Sequence, residues 1–93
     1  MTYRVIWMPP AEDRLATAWL ASPNRNAVTR AAHEIDNVLE VFPNSAGRVV
    51  FDSVREYSFP PLDVEYEIDD ANRCVYVLNV WNTAEGRPTT TGN

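Results

Sequence analysis

The 93-residue chain contains no lysine. Schiff-base chemistry and a lysine acting as acid or base are therefore excluded. Cys74 is the single cysteine, so neither an intrachain disulfide nor a cysteine-built metal site can form. His33 is the single histidine. Three glycines cannot build a phosphate-cradling loop, and zinc-ligand spacing and a nucleophile elbow are both absent. Apolar runs extend only a few residues, too short to span a membrane. The start, "MTYRVIW", lacks the basic-then-apolar build of a signal peptide, so a cytoplasmic location is expected. All eight basic residues are arginine, and thirteen acidic residues bring the formal charge to −5. That balance argues against direct nucleic-acid binding, which rests on neutralising phosphates.

What the chain does have is enough apolar and aromatic content for one core. Hydrophobic residues make up 45% of it, with three Trp, four Tyr and three Phe. "TYRVIWM" reads as a first strand, closed by Pro9-Pro10. Leu15, Ala18 and Trp19 recur at helical spacing, which places Trp19 in the core together with Trp7. Pro23 ends this first helix, and Asn24 is placed to cap a second. Val28, Ala31, Ala32, Ile35, Leu39 and Phe42 form its apolar stripe, and "PNSAG" stops it. "RVVFDSVREYSF" (48–59) reads as one strand, and Pro60-Pro61 breaks the chain after it. "LDVEYEID" and "CVYVLNVW" are two further strands joined by the hairpin loop "DDANR". The expected architecture is α+β, in the order β-α-α-β-β-β. It is a small antiparallel sheet with two helices packed on one face. One domain spans 1–82, and the unpatterned stretch 83–93 is expected to be a flexible tail.

The most specific feature is an acidic row. Leu62, Val64, Tyr66 and Ile68 alternate with Asp63, Glu65 and Glu67, so period 2 sends the carboxylates to the face away from the core. This row is a solvated face, a docking surface for a basic partner, or a metal site. Its side chains lie about 6.5–7 Å apart, too far to ligate one ion compactly, and no His or Cys is near. No metal or cofactor is expected. His33 reads as a surface or boundary histidine, and Cys74 as a small buried residue. Arg55 either pairs with the acidic row or contacts a partner. Trp81, at the end of the last strand, either packs or lies on a contact surface.

From Tyr3 to Trp81 the chain resembles the RelE/ParE superfamily of type II toxin–antitoxin proteins, which includes plasmid stabilisation proteins. The residues that carry the resemblance are Trp7, Pro10-Ala11, Leu39, Pro43, Gly47 and Arg55. "V-x-Y-x-I" at Val64, Tyr66 and Ile68 follows, then "V-x-V-L-x-V" at Val75, Val77, Leu78 and Val80. The resemblance implies a sheet with one face under the helices and the other open. It also implies a toxin silenced by a cognate antitoxin that lays a segment along it. In the RNA-cleaving branch, Arg and Lys on the open face hold phosphate, while His, Tyr or Glu move protons. In the ParE-like branch the target is DNA gyrase and that catalytic set is missing.

This chain departs from the nuclease pattern. Asp63 stands three residues before the tyrosine, where nuclease members carry Arg, and the last strand ends Trp81-Asn82-Thr83. Only Arg48 and Arg55 remain as candidate catalytic residues holding phosphate. Unit charges about 7 Å apart interact by roughly 2 kcal/mol at an effective dielectric near 20. Three carboxylates facing a phosphate therefore oppose cleavage. The expectation is a toxin that acts by binding, ParE-like and gyrase-directed, rather than an enzyme. The alternatives are a ribosome-dependent RelE-type ribonuclease and a non-toxic binding member of the family. Asp63, Glu65, Glu67, Arg55 and Trp81 are the expected partner-binding set. The antitoxin segment crossing them should be locally basic.

Overall fold

A computed structural model describes residues 2–87. The elements run β1 (Arg4–Trp7), α1 (Pro9–Ala21), α2 (Arg25–Val41), α3 (Pro43–Ala46), β2 (Arg48–Phe51), β3 (Val54–Phe59), β4 (Leu62–Asp69) and β5 (Cys74–Asn82). The α+β class and the helices on one sheet face agree with the sequence reading. Two details of the sheet differ from it.

The first concerns the stretch 48–59, which is a hairpin rather than one strand. Asp52, at φ 48°, makes the turn between β2 and β3. Aspartate tolerates this left-handed conformation better than most residues, because its short polar side chain can bond locally. The second concerns β1. The sheet order is β1-β5-β4-β3-β2, antiparallel throughout except that β1 runs parallel to β5. A parallel neighbour needs a long crossover. Here the helices carry the chain from β1 to the far edge, and the meander then returns to β5.

Helix ends follow from local chemistry. The Asn24 side chain accepts a hydrogen bond from the Ala27 amide at 3.1 Å, capping α2 as its sequence predicts. Ser22 is extended before Pro23 and ends α1. Val28, Ala31, Ile35 and Leu39 of α2 are buried against Leu62, Val64, Tyr66, Val75, Val77 and Val80 of the sheet. Phe42 does not join them. Pro43 pushes the preceding residue out of helical geometry, and Phe42, at φ −126°, is left exposed. Trp19 is not core either. It is 39% exposed on α1, with its indole donating to Thr29 Oγ1 and the Arg25 guanidinium stacked over it. His33 is exposed on α2, and Cys74 is a buried free thiol. In the β4–β5 loop, Asn72 donates through its side chain and its amide to the Asp69 carboxylate, holding that carboxyl below its usual value.

Gly47 lies where α3 meets the sheet. A Cβ there would sit 2.5 Å from the Glu56 carbonyl oxygen and 2.5 Å from the Tyr66 hydroxyl. The carbonyl is strand backbone and cannot swing away. Gly47→Ala is therefore expected to cost about 1–3 kcal/mol of stability. Urea unfolding checks this, and an unchanged midpoint would show that the junction gives way.

Candidate functional site

The period-2 expectation for β4 holds. Leu62, Val64 and Tyr66 are fully buried under the helices, and Asp63, Glu65 and Glu67 stand on the other face. Pairing brings further residues of β2, β3 and β5 to that open face. Glu56 and Arg48 align with Glu65, Ser58 and Trp81 with Asp63, and Tyr76 with Glu67. The register shifts by one residue of β5 between Glu65 and Tyr66, so the inward set there runs Val75, Val77, Val80. That bulge keeps Trp81 on the open face.

The carboxylates are not bare. Asp63 accepts from Ser58 Oγ, and from Thr83 Oγ1 at 3.1 Å. Glu67 accepts from Ser53 Oγ at 2.6 Å. Glu65, only 8% exposed, accepts from Asn79 Nδ2 at 3.4 Å and is ion-paired to Arg87. The same guanidinium lies 3.6 Å from Glu56, and Arg48 approaches the other oxygen of Glu56 at 3.5 Å. Arg87 also stacks over the Trp81 ring, 5.2 Å from its centroid. The centre of the face is thus a facing pair of glutamates on neighbouring strands, with one arginine bridging both and an indole beneath it. Like charges in direct cross-strand register repel, so a cation between them is stabilising.

Of the residues singled out in the sequence, Asp63, Glu65, Glu67, Trp81 and Arg48 come together here. Arg55 does not. It pairs with Tyr66 and so lies on the helix side, donating to the Gly47 carbonyl at 3.3 Å. The reason is the turn at Asp52, which sets a β3 register that a single strand over 48–59 cannot predict. Arg55 stands beside the Tyr66 hydroxyl, which donates to the Pro43 carbonyl at 2.8 Å. Burial pushes the Tyr66 phenol above its ordinary value, and the neighbouring guanidinium opposes that rise only partly.

Glu56 and Arg87 are what the sequence reading missed. Glu56 stands one residue from Arg55, and its strand parity matched the acidic row once the hairpin is known. Arg87 falls in the stretch expected to be a loose tail. Its described part, 83–87, turns back on the sheet, with the Thr83 amide bonded to the Pro61 carbonyl at 2.8 Å. Residues 88–93 of that tail lie outside the described residues. No helix among the described residues is long and apolar enough to cross a membrane.

No protein-family model matches the chain, and no curated protein matches it by sequence. Solved structures do match. The toxin–antitoxin complex RelBE2 from Mycobacterium tuberculosis aligns over 88% of this chain and 92% of its own at 16% identity, with a TM-score of 0.75. The chromosomal ParDE toxin–antitoxin system of P. aeruginosa aligns over 86% and 95% at 14% identity, with a TM-score of 0.68. The archaeal RelE–RelB complex from Pyrococcus horikoshii aligns over 92% and 100% at 15% identity, with a TM-score of 0.66. With a helix-covered face, an open face and a match over most of its length, the chain has the RelE/ParE toxin fold.

Proposed function

We propose that the chain is the toxin of a type II toxin–antitoxin pair, that it acts by binding in the ParE manner, with DNA gyrase as the target class, and that a cognate antitoxin silences it. The observation that carries the mode of action is the charge pairing on the open face. Gripping a phosphate requires cationic groups free to meet it. Arg48 and Arg87 are both engaged with carboxylates there. Arg55 is turned to the other face, against Gly47. Arg4 lies at the far corner, in register with Cys74, away from the glutamate pair. The open face therefore favours a polypeptide partner with complementary charge over an RNA backbone. That the similar folds were solved as toxin–antitoxin complexes supports the antitoxin partner.

Tightly controlled expression of the chain alone in a bacterium, with pulse-labelling of DNA and protein synthesis, tests the reading. DNA synthesis is expected to stop first, with transcripts intact. Early arrest of protein synthesis with cleaved messenger RNA, abolished by Arg48→Ala, would replace it with the ribonuclease. Normal growth with folded protein in hosts of several lineages would leave only a non-toxic binding module.

A further inference from the structure

Trp81, next to the last residue of β5, stands on the face the helices leave open, yet it is only 5% exposed. Its cover is the chain itself. After β5 the backbone closes a local turn, in which the Asn82 carbonyl accepts from the amides of Glu85 at 2.9 Å and Gly86 at 3.2 Å. The Asn82 side chain also accepts from the Ala84 amide at 2.9 Å. Gly86, at φ 79°, then redirects the chain. A side chain in that backbone conformation is strained, and glycine is not. The result points Arg87 back across the sheet, over Trp81 and onto Glu56 and Glu65.

Two properties of this contact pull in different directions. The glutamate side chains are largely buried, at 17% and 10% exposed, so a cation beside the like-charged pair is strongly favoured, and Arg48 reaches only Glu56. Arg87 itself is 42% exposed and hangs from a turn whose amides are satisfied without it. Filling the position is favoured, but its occupant is held by one solvated side chain.

We infer that Arg87 is a latch: it closes the open face in cis, and a partner reaches that face by setting an arginine of its own where Arg87 sits. This inference rests on the proposed function for the identity of the partner and deepens it by naming how that partner gains access. The exchange replaces one guanidinium by another, so the glutamate pair ends neutralised in both the free and the bound state. Lysine does not substitute, because a point charge on a flexible stem neither forks across two carboxylates nor stacks flat on an indole. The partner segment is therefore extended and arginine-bearing rather than merely basic.

The test uses the purified full chain and two blocked peptides, one with arginines alternating with glycine and one with lysines in the same places. Binding is followed by titration calorimetry and by the Trp81 indole proton in NMR. A latch closed about nine-tenths of the time weakens apparent affinity about tenfold. Arg87→Gln is therefore expected to bind the arginine peptide about tenfold tighter than the native chain and to shift the Trp81 signal. The lysine peptide should bind weakly to both, and Arg87→Lys should bind the arginine peptide nearly as tightly as Arg87→Gln. Equal affinity of the native chain and Arg87→Gln, or equal binding of the two peptides, would overturn the latch. Loss of structure in Arg87→Gln, seen as collapsed NMR dispersion, would overturn it too by making Arg87 a fold-holding contact. None of these readouts depends on toxicity, so the latch and the toxin assignment stand or fall separately.

Discussion

Replacing Tyr66 with alanine is expected to cost about 3–5 kcal/mol, the usual toll of emptying a buried aromatic position. Against a total stability of about 5–15 kcal/mol for a domain of this kind, that leaves the chain at the edge of unfolding. Tyr66 is fully buried at the centre of β4, among the core residues that the helices share with the sheet. Its hydroxyl donates to the Pro43 carbonyl, tying α3 to the sheet, and its ring edge lies against Gly47. Alanine leaves both a cavity and a carbonyl without its donor. Tyr66→Phe separates the two, since it removes only the hydroxyl and should cost about 1–3 kcal/mol. The phenylalanine variant also has a pH signature. Burial raises the Tyr66 phenol above its ordinary value. The unfolded chain thus loses that proton first as pH climbs past about 10. Stability carried by the phenol is complete below that pH and falls as pH rises toward the folded-state value. Tyr66→Phe should lack this alkaline loss. Urea unfolding at neutral and alkaline pH measures all of it, and a native-like midpoint for Tyr66→Ala would contradict the account of the core.

The second large effect concerns the open face. Changing Asp63, Glu65 and Glu67 to Asn, Gln and Gln removes three of the thirteen acidic charges while keeping shape and hydrogen-bonding capacity. Association with the proposed antitoxin partner is expected to slow about tenfold at low ionic strength and to lose most of its salt dependence. Charges on a recognition face act mainly by steering encounter and fixing register. The structure divides the effect unevenly. Glu67 is bonded to Ser53 and Asp63 to Ser58 and Thr83, so each keeps a polar partner when neutralised. Glu65 shares Arg87 with Glu56 and should account for the largest part. Stopped-flow mixing across a salt series decides it. An unchanged rate and salt slope would mean that the acidic row is only a solvated face.

Much of this molecule is written in local pattern. The 3.6-residue stripe through α2, the Asn24 cap, the break at Pro23 and the inward set of β4 all appear in the structure as the residues predict, because each depends on neighbours within a turn or a strand. The stretch 48–59 has strand composition from end to end, and only the turn at Asp52 separates β2 from β3. Trp19 and Phe42 have the right spacing for the core, but Trp19 packs on Thr29 and Arg25 at the end of α1, and Pro43 puts Phe42 out of helical geometry.

By itself the sequence determined the α+β class, the helix-covered sheet, the buried Tyr66 and the outward acidic row on β4, since these follow from periodicities of 3.6 and 2 along one segment. Tertiary structure alone decided that Arg55 faces the helices, that Glu56 stands opposite Glu65, and that Arg87 returns to bridge them. The physical reason is that cross-strand neighbours are set by register and turn geometry between segments far apart in the chain. A shift of one residue exchanges the two faces of a strand.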